Sequence, residues 1–369
     1  MRSDPEARAL RAAAAALGAA LLLAACSGGA SRSTPAVPPA PVVTAADAAT
    51  LLGQLADDSL RGRMTGSPGA AMAAAIVARE MRRAGLRPAG DSGYFQRVPL
   101  VLRATQAGRL LPALAPGFAA LDTVPADRRR AGVNVLGTLP GADSTLDGEY
   151  VLVDAHYDHL GAAGDRVNAC RPLGADSICN GADDDASGVV AVLEIARELA
   201  AQERPRRSIL FAVWTGEELG LLGARWFLEH PTRPPERMAA NLEIEMIGRP
   251  DSLAGGSGRA WLTGWARSTM GETFAAAGIP IVADPHPAEQ FFERSDNFAF
   301  AERGIVAQTL SSYNLHTDYH RPSDEVTRTD PAHIAAVIQA AARAVRLLAD
   351  GPRPEWKPGG RPEQPARRP

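Results

Sequence analysis

Several stretches of the chain place histidine or acidic side chains directly after apolar runs. In "VLVDAHYDHLG" a strand-like run ends on His156, Asp158 and His159. Residues two apart in an extended segment share a side, so the Asp158 carboxylate could orient the His156 imidazole or bind beside it. In "NGADDDASGVVAVLEIAREL", Asp183, Asp184 and Asp185 precede a helical pattern. One or two aspartates suit a helix N-terminus, and three exceed what capping explains. A calcium loop is excluded, because its oxygens alternate along the chain and end in a distant glutamate. "FAVWTGEELGLLG" supplies Glu217 and Glu218, either as a solvated helix start or as one metal ligand beside one free base. "NLEIEMIGRP" sets Glu243 and Glu245 in an apolar strand, a costly position without a cation. "LHTDYHRPSDEV" adds His316, Asp318, His320 and Asp324 in a loop. Taken together, nitrogen and oxygen donors without thiolates suit a hydrolytic zinc site.

The elements that must position these groups are readable. "YVLVDAHYD", "SILFAVWTG" and "GIVAQTL" are continuous apolar runs of strand type. Between them lie helical patterns, among them one opened by Ser67-Pro68 and closing near Gly85, and one opened by Asp330. This alternation predicts an α/β domain with a central mixed, mostly parallel sheet and helices on both faces. In such sheets functional groups gather at the carboxyl ends of the strands, where the polar clusters fall.

A net charge of -3 excludes the basic surface of a nucleic-acid binder. Residues 1–26 read as a secretory leader, with Arg2, Arg8 and Arg11 before a short apolar run. Its end, "LAAC", resembles a bacterial lipoprotein signal, which implies lipidation at Cys26 and a membrane anchor without a spanning helix; Ser27, in place of an Asp that can retain lipoproteins at the inner membrane, points to an outer-membrane position facing the periplasm. Residues 27–43 read as a flexible Pro/Ala/Ser linker, 44–350 as the folded domain and 351–369 as a disordered tail. Cys170 and Cys179 are expected to form a disulfide closing a small loop.

The ordered motifs "HYDHLG", "NGADDDASG", "GEELGLLG", "EMIGR" and "YHRPSD" resemble the M28 family of co-catalytic dizinc metallopeptidases, chiefly aminopeptidases. Softer pieces, "RGRMTGSPG" and "RSDNFAFAERGI" among them, extend the likeness over about residues 50–345. The resemblance implies a phosphorylase/hydrolase-like globule and two Zn2+ ions. Asp184 would bridge the ions, its bond to Asp185 being a cis peptide. His156 and Glu245 would complete one metal position, Glu218 and His320 the other. Glu217 would be the general base and Asp158 the partner of His156. Two points depart from the family pattern. Glu245 stands where Asp is commoner, with Glu243 as its competitor, and His316 competes with His320. The implied activity is hydrolysis of the N-terminal bond of peptides with a free N-terminus. The rivals are a glutaminyl-cyclase-like or carboxypeptidase activity on the same scaffold, and a non-catalytic lipid-anchored binding protein. "WLTGW" and "EQFFERSDNF" either line the substrate pocket or pack under loops.

Overall fold

The apolar runs form the centre of a ten-stranded mixed sheet in a computed structural model that describes residues 42–363. The leader, Cys26 and most of the linker lie outside the described residues. The strands are β1 Arg87–Pro88, β2 Phe95–Ala104, β3 Leu110–Leu114, β4 Arg129–Leu139, β5 Tyr150–His156, β6 Gly161–Ala162, β7 Ile178–Cys179, β8 Ser208–Trp214, β9 Met238–Ile244, β10 Ala260–Leu262, β11 Ile281–Ala283 and β12 Ala307–Ser311. The large sheet runs β11-β10-β12-β9-β5-β8-β4-β2-β3, with β1 paired to β4, while β6 and β7 form a separate ribbon. Parallel pairing is confined to β12-β9-β5-β8 at the centre and to β10-β11. The β1 to β4 side is antiparallel, so the sheet is less parallel than the sequence suggests. Strands β2 to β4 are joined without the long helical crossover that parallel neighbours require.

Both faces of the central strands are buried, which explains their unbroken apolar runs. Val151, Val153, Ile209 and Phe211 face one helical layer, made by Ala45–Leu55, Pro68–Arg83, Gly188–Ala200 and Pro331–Asp350. Leu152, Leu210, Ala212 and Trp214 face the other, with Phe227 and Phe300 from helices Leu222–Glu229 and Asn297–Glu302. The expected caps form. Ser67 Oγ accepts from the Ala70 amide at 3.1 Å, and Asp330 accepts from Ala332 at 3.0 Å and His333 at 3.1 Å.

The tail departs from expectation. Residues 351–363 lie against the domain rather than being disordered. Trp356 Nε1 donates to the Gly304 carbonyl at 2.9 Å, Lys357 N to the Arg267 carbonyl at 2.9 Å, and Arg353 pairs with Glu149 at 3.0 Å. The segment has no periodicity because it forms no helix or long strand. One indole, two ion pairs and a few backbone bonds hold it, and residues 364–369 lie outside the described residues. Cys170 and Cys179 form the expected disulfide.

Candidate metal centre

Three neighbouring parallel strands end level with one another. His156 closes β5 opposite Trp214 of β8, and Asp154 of β5 lies opposite Glu243 of β9. Beyond Trp214 the chain turns through Gly216 and presents Glu217 and Glu218. Beyond Ile244 it presents Glu245. Asp184 comes from the irregular turn Ala182–Ser187 ahead of helix Gly188–Ala200, and the Asp184–Asp185 peptide is cis. His320 arrives on the loop after β12, stacked on Tyr319.

Two donor groups share Asp184. In the first, His156 Nε2 lies 3.4 Å from Asp184 Oδ1 and 4.0 Å from Glu245 Oε1. In the second, His320 Nε2 lies 3.2 Å from Asp184 Oδ2 and 3.1 Å from Glu218 Oε2. Glu217 Oε2 stands 3.9 Å from His156 Nε2. His156 Nε2, Asp184 Oδ2, Glu218 Oε1 and His320 Nε2 are buried, and none makes a hydrogen bond among the described residues. Buried polar atoms are almost always satisfied. Orphans of this chemistry, converging from separate elements, fit cations, and the nitrogen and carboxylate set suits zinc.

The other acids hold the frame. Asp183 accepts from the Gly248 amide at 2.6 Å and meets His316 Nε2 at 3.0 Å. His316 therefore braces the Asp183 side of the turn, whereas His320 faces Asp184. Asp185 accepts from Gly188 at 3.0 Å, Met246 at 3.0 Å and His156 N at 3.3 Å, tying three segments together. Asp324 accepts from the Asp183 amide at 3.1 Å and the Asp184 amide at 3.0 Å. Close approach requires Gly188, since a Cβ there would sit 2.2 Å from the Ile244 carbonyl oxygen. Asp158 differs from expectation. Its carboxylate lies 3.9 Å from His156 Nδ1, whose nearer neighbour is the Asp158 carbonyl oxygen at 3.2 Å. The carboxylate instead accepts from Gly216 N at 2.6 Å, Glu217 N at 3.1 Å and Thr65 Oγ1 at 2.7 Å, fixing the turn that carries Glu217.

Glu243 points into the protein. It accepts from Ser295 Oγ at 2.6 Å, Asp296 N at 3.1 Å, Asn297 N at 2.8 Å and Thr309 Oγ1 at 2.9 Å. It thereby anchors helix Asn297–Glu302, and Glu245 alone of the pair reaches the donor group. Burial pushes the Glu217 carboxyl well above the usual range; the nearby His156 opposes this, and Glu245 and Glu218 add to it. Such a shift suits a group that must take up a proton and give it back.

Some residues around the centre were not singled out from sequence. Arg63, 1% exposed, donates to the carbonyls of Tyr157, Leu55, Asn180 and Gly181. Asp296 is fully buried with neither oxygen bonded, and burial beside Glu243 drives its carboxyl strongly upward. Their only sequence signal was membership of the softer motifs "RGRMTGSPG" and "RSDNFAF". His159 was visible in "HYDHLG" without a role.

Beside Glu245 lies a narrow cavity of about 30 Å3 lined by Trp261, Phe291, Arg294, Tyr313 and Tyr319, among others. Trp261 and Phe291 stack with ring centres 5.3 Å apart. The segments "WLTGW" and "EQFFERSDNF" thus each give part of the wall and part of the packing, Trp265 lying against the main core.

Residues 134–345 match the model of Peptidase family M28. Leucine aminopeptidase 2 of Trichophyton equinum is 27% identical over 195 residues, which are 52% of this chain and 35% of that protein. The curated relatives are longer proteins, of which the chain spans well under half. Among solved structures, a zinc aminopeptidase from Bacillus subtilis aligns with a TM-score of 0.58 at 15% identity, over 85% of this chain and 96% of that one. A glutaminyl cyclase from Porphyromonas gingivalis aligns with 0.56 at 17% identity, over 83% of this chain and 99% of that one. These two likenesses speak to the fold. With the matched segment containing every residue of both donor groups, the chain belongs to peptidase family M28.

Proposed function

We propose that this chain is a zinc-dependent aminopeptidase using two metal ions. The observation that carries the reading is the pair of donor groups sharing Asp184, with Glu217 at their edge. His156, Asp184 and Glu245 would hold one ion, and Glu218 and His320 with Asp184 the other. Bound there, zinc would supply Lewis acidity toward water and the scissile carbonyl. Glu217 would take the proton of the attacking water and return it to the leaving amine. Asp158 would keep Glu217 in place through the Gly216 and Glu217 amides. The carboxylate-rich rim suits the cationic α-amine of a substrate, and the aromatic walls beside Glu245 would border its N-terminal side chain.

The test is metal content together with activity on peptides bearing free or blocked N-termini. Two zinc ions per chain, and cleavage only of free N-termini, are expected. Equal cleavage of blocked peptides would overturn the aminopeptidase reading, and cyclisation of N-terminal glutamine with one zinc would replace it by the cyclase. We also read the leader as a lipid anchor at Cys26 that holds the enzyme in the envelope, probed by fatty-acid labelling of wild type and Cys26→Ala.

A further inference from the structure

We infer that His159 is a protein ligand at the Glu218–His320 metal position. That position would then be closed by His159, Asp184, Glu218 and His320, while the other keeps only His156, Asp184 and Glu245 and so stays open. The inference rests on the two-metal reading above.

The His159 ring is completely buried. Its Nδ1 lies 2.6 Å from Glu218 Oε1 and 3.9 Å from Asp184 Oδ2. At 2.6 Å an ordinary imidazole donor would bond the carboxylate, yet neither Nδ1 nor Oε1 makes a hydrogen bond. The two atoms are close but not aimed along a donor–acceptor line. His159, Asp184 and Glu218 each offer a donor atom within 4.8 Å of the others, and His320 Nε2 reaches the same two carboxylates at 3.2 Å and 3.1 Å. The His159 and His320 rings meet edge to face, with centres 5.7 Å apart. Among the described residues Nε2 of His159 has no hydrogen bond either, so the ring's buried polar contacts are its close approaches to the Glu218 and Asp184 carboxylates.

The ring's location is built rather than incidental. The His159 amide donates to the Arg63 carbonyl at 3.3 Å, and the Arg63 guanidinium grips the Gly181 carbonyl at 3.0 Å. Gly181 has φ 56°, and a Cβ on it would lie 2.6 Å from His159 Cγ. The glycine opens the slot that the ring fills. The chemical consequence is asymmetry. Zinc sites filled by four protein groups are of the structural kind, and those with three keep a position for water or substrate. The Glu218–His320 position would therefore fill first and exchange slowly, leaving the His156–Glu245 position, next to Glu217 and the aromatic cavity, as the exchangeable one.

The experiment is X-ray absorption at the zinc edge on the full-length protein, loaded with one and then two equivalents, for wild type and His159→Gln. With one equivalent, wild type should show two imidazoles per zinc, and with two equivalents an average of about 1.5, from His156, His159 and His320. His159→Gln, its folding checked by circular dichroism, should show one imidazole at the first equivalent. It should also lose about tenfold or more in the affinity of the tighter position, measured by chelator competition. One imidazole per zinc in singly loaded wild type would overturn the proposal, whatever the variant does. So would a folded His159→Gln with unchanged affinities. If wild type binds only one zinc, the two-metal reading fails separately. The imidazole count of that single ion still decides His159: two supports it as a ligand, one removes it.

Discussion

Replacing Arg63 by methionine tests how the acidic turn is held. The guanidinium bonds the carbonyls of Tyr157 and Leu55 at 2.7 Å, Asn180 at 2.5 Å and Gly181 at 3.0 Å. These acceptors lie on the segment after β5, the helix Ala45–Leu55 and the turn between β7 and the three aspartates. An unsatisfied buried carbonyl costs about 1–3 kcal/mol. Four would suggest a larger sum, but the variant also escapes the desolvation of a buried cation. Removing one side of a buried charged network therefore nets about 3–5 kcal/mol, a large share of the roughly 5–15 kcal/mol that stabilises a typical domain. Arg63→Lys keeps the charge, but one ammonium with three donors cannot span four separate acceptors, so about half that loss is expected. Urea unfolding in EDTA, followed by far-UV circular dichroism, gives both values as shifts in midpoint. A loss below about 1 kcal/mol for methionine, or a lysine variant as stable as wild type, would refute the claim that multidentate bonding clamps the turn.

Other perturbations separate the remaining roles. Glu217→Gln should keep the zinc content and lower kcat by orders of magnitude, and near-normal turnover would remove Glu217 as the base. Glu245→Gln should lose metal from the His156 position, whereas Glu243→Gln should keep its metals and lower Tm, since Glu243 serves helix Asn297–Glu302; equal metal loss in both would contradict the division. In the metal-free protein, burial opposes a charged His320, but Asp184 and Glu218 outweigh it and raise its pKa from 6.5 to about 10. Burial and Glu243 raise Glu245 from 4.5 to about 8. Each group holds a proton in the folded state that the unfolded chain gives up. The Glu245 contribution is therefore lost as pH rises from 4.5 through about 8. That of His320 is lost between 6.5 and about 10. Zinc must displace the same protons, so its increment in Tm should grow between about pH 6 and 8.5; a shrinking increment would show that these groups do not face the metal. Truncation after Asp350 should cost about 1–2 kcal/mol through loss of the half-buried Trp356, and unchanged urea unfolding would return the tail to disorder.

The local pattern was enough to put His156, Glu217 and Glu218 at strand ends, because each follows an apolar run and parallel strands present their carboxyl ends together. The spacing of "DDDASG" singled out an unusual acidic turn, and the family likeness assigned Asp184 to the bridge. Where sequence was silent, the missing information was the partner. Glu243 and Glu245 have the same strand parity and sit in the same apolar stretch. Only the packing of Ser295, Asn297 and Thr309 around Glu243 separates them. His316 competes with His320 in the loop, and the fold sets the first against Asp183 and the second against Asp184. Asp158 was paired with its neighbour in sequence, yet its carboxylate bonds a turn 58 residues away. Arg63 and His159 acquire meaning only when the segment around 63, the end of β5 and the acidic turn close on one another. Sequence thus determined which residues end the strands and what chemistry they offer. Tertiary structure decided which carboxylates converge with imidazoles and which meet backbone amides, because that choice depends on contacts between segments far apart in the chain.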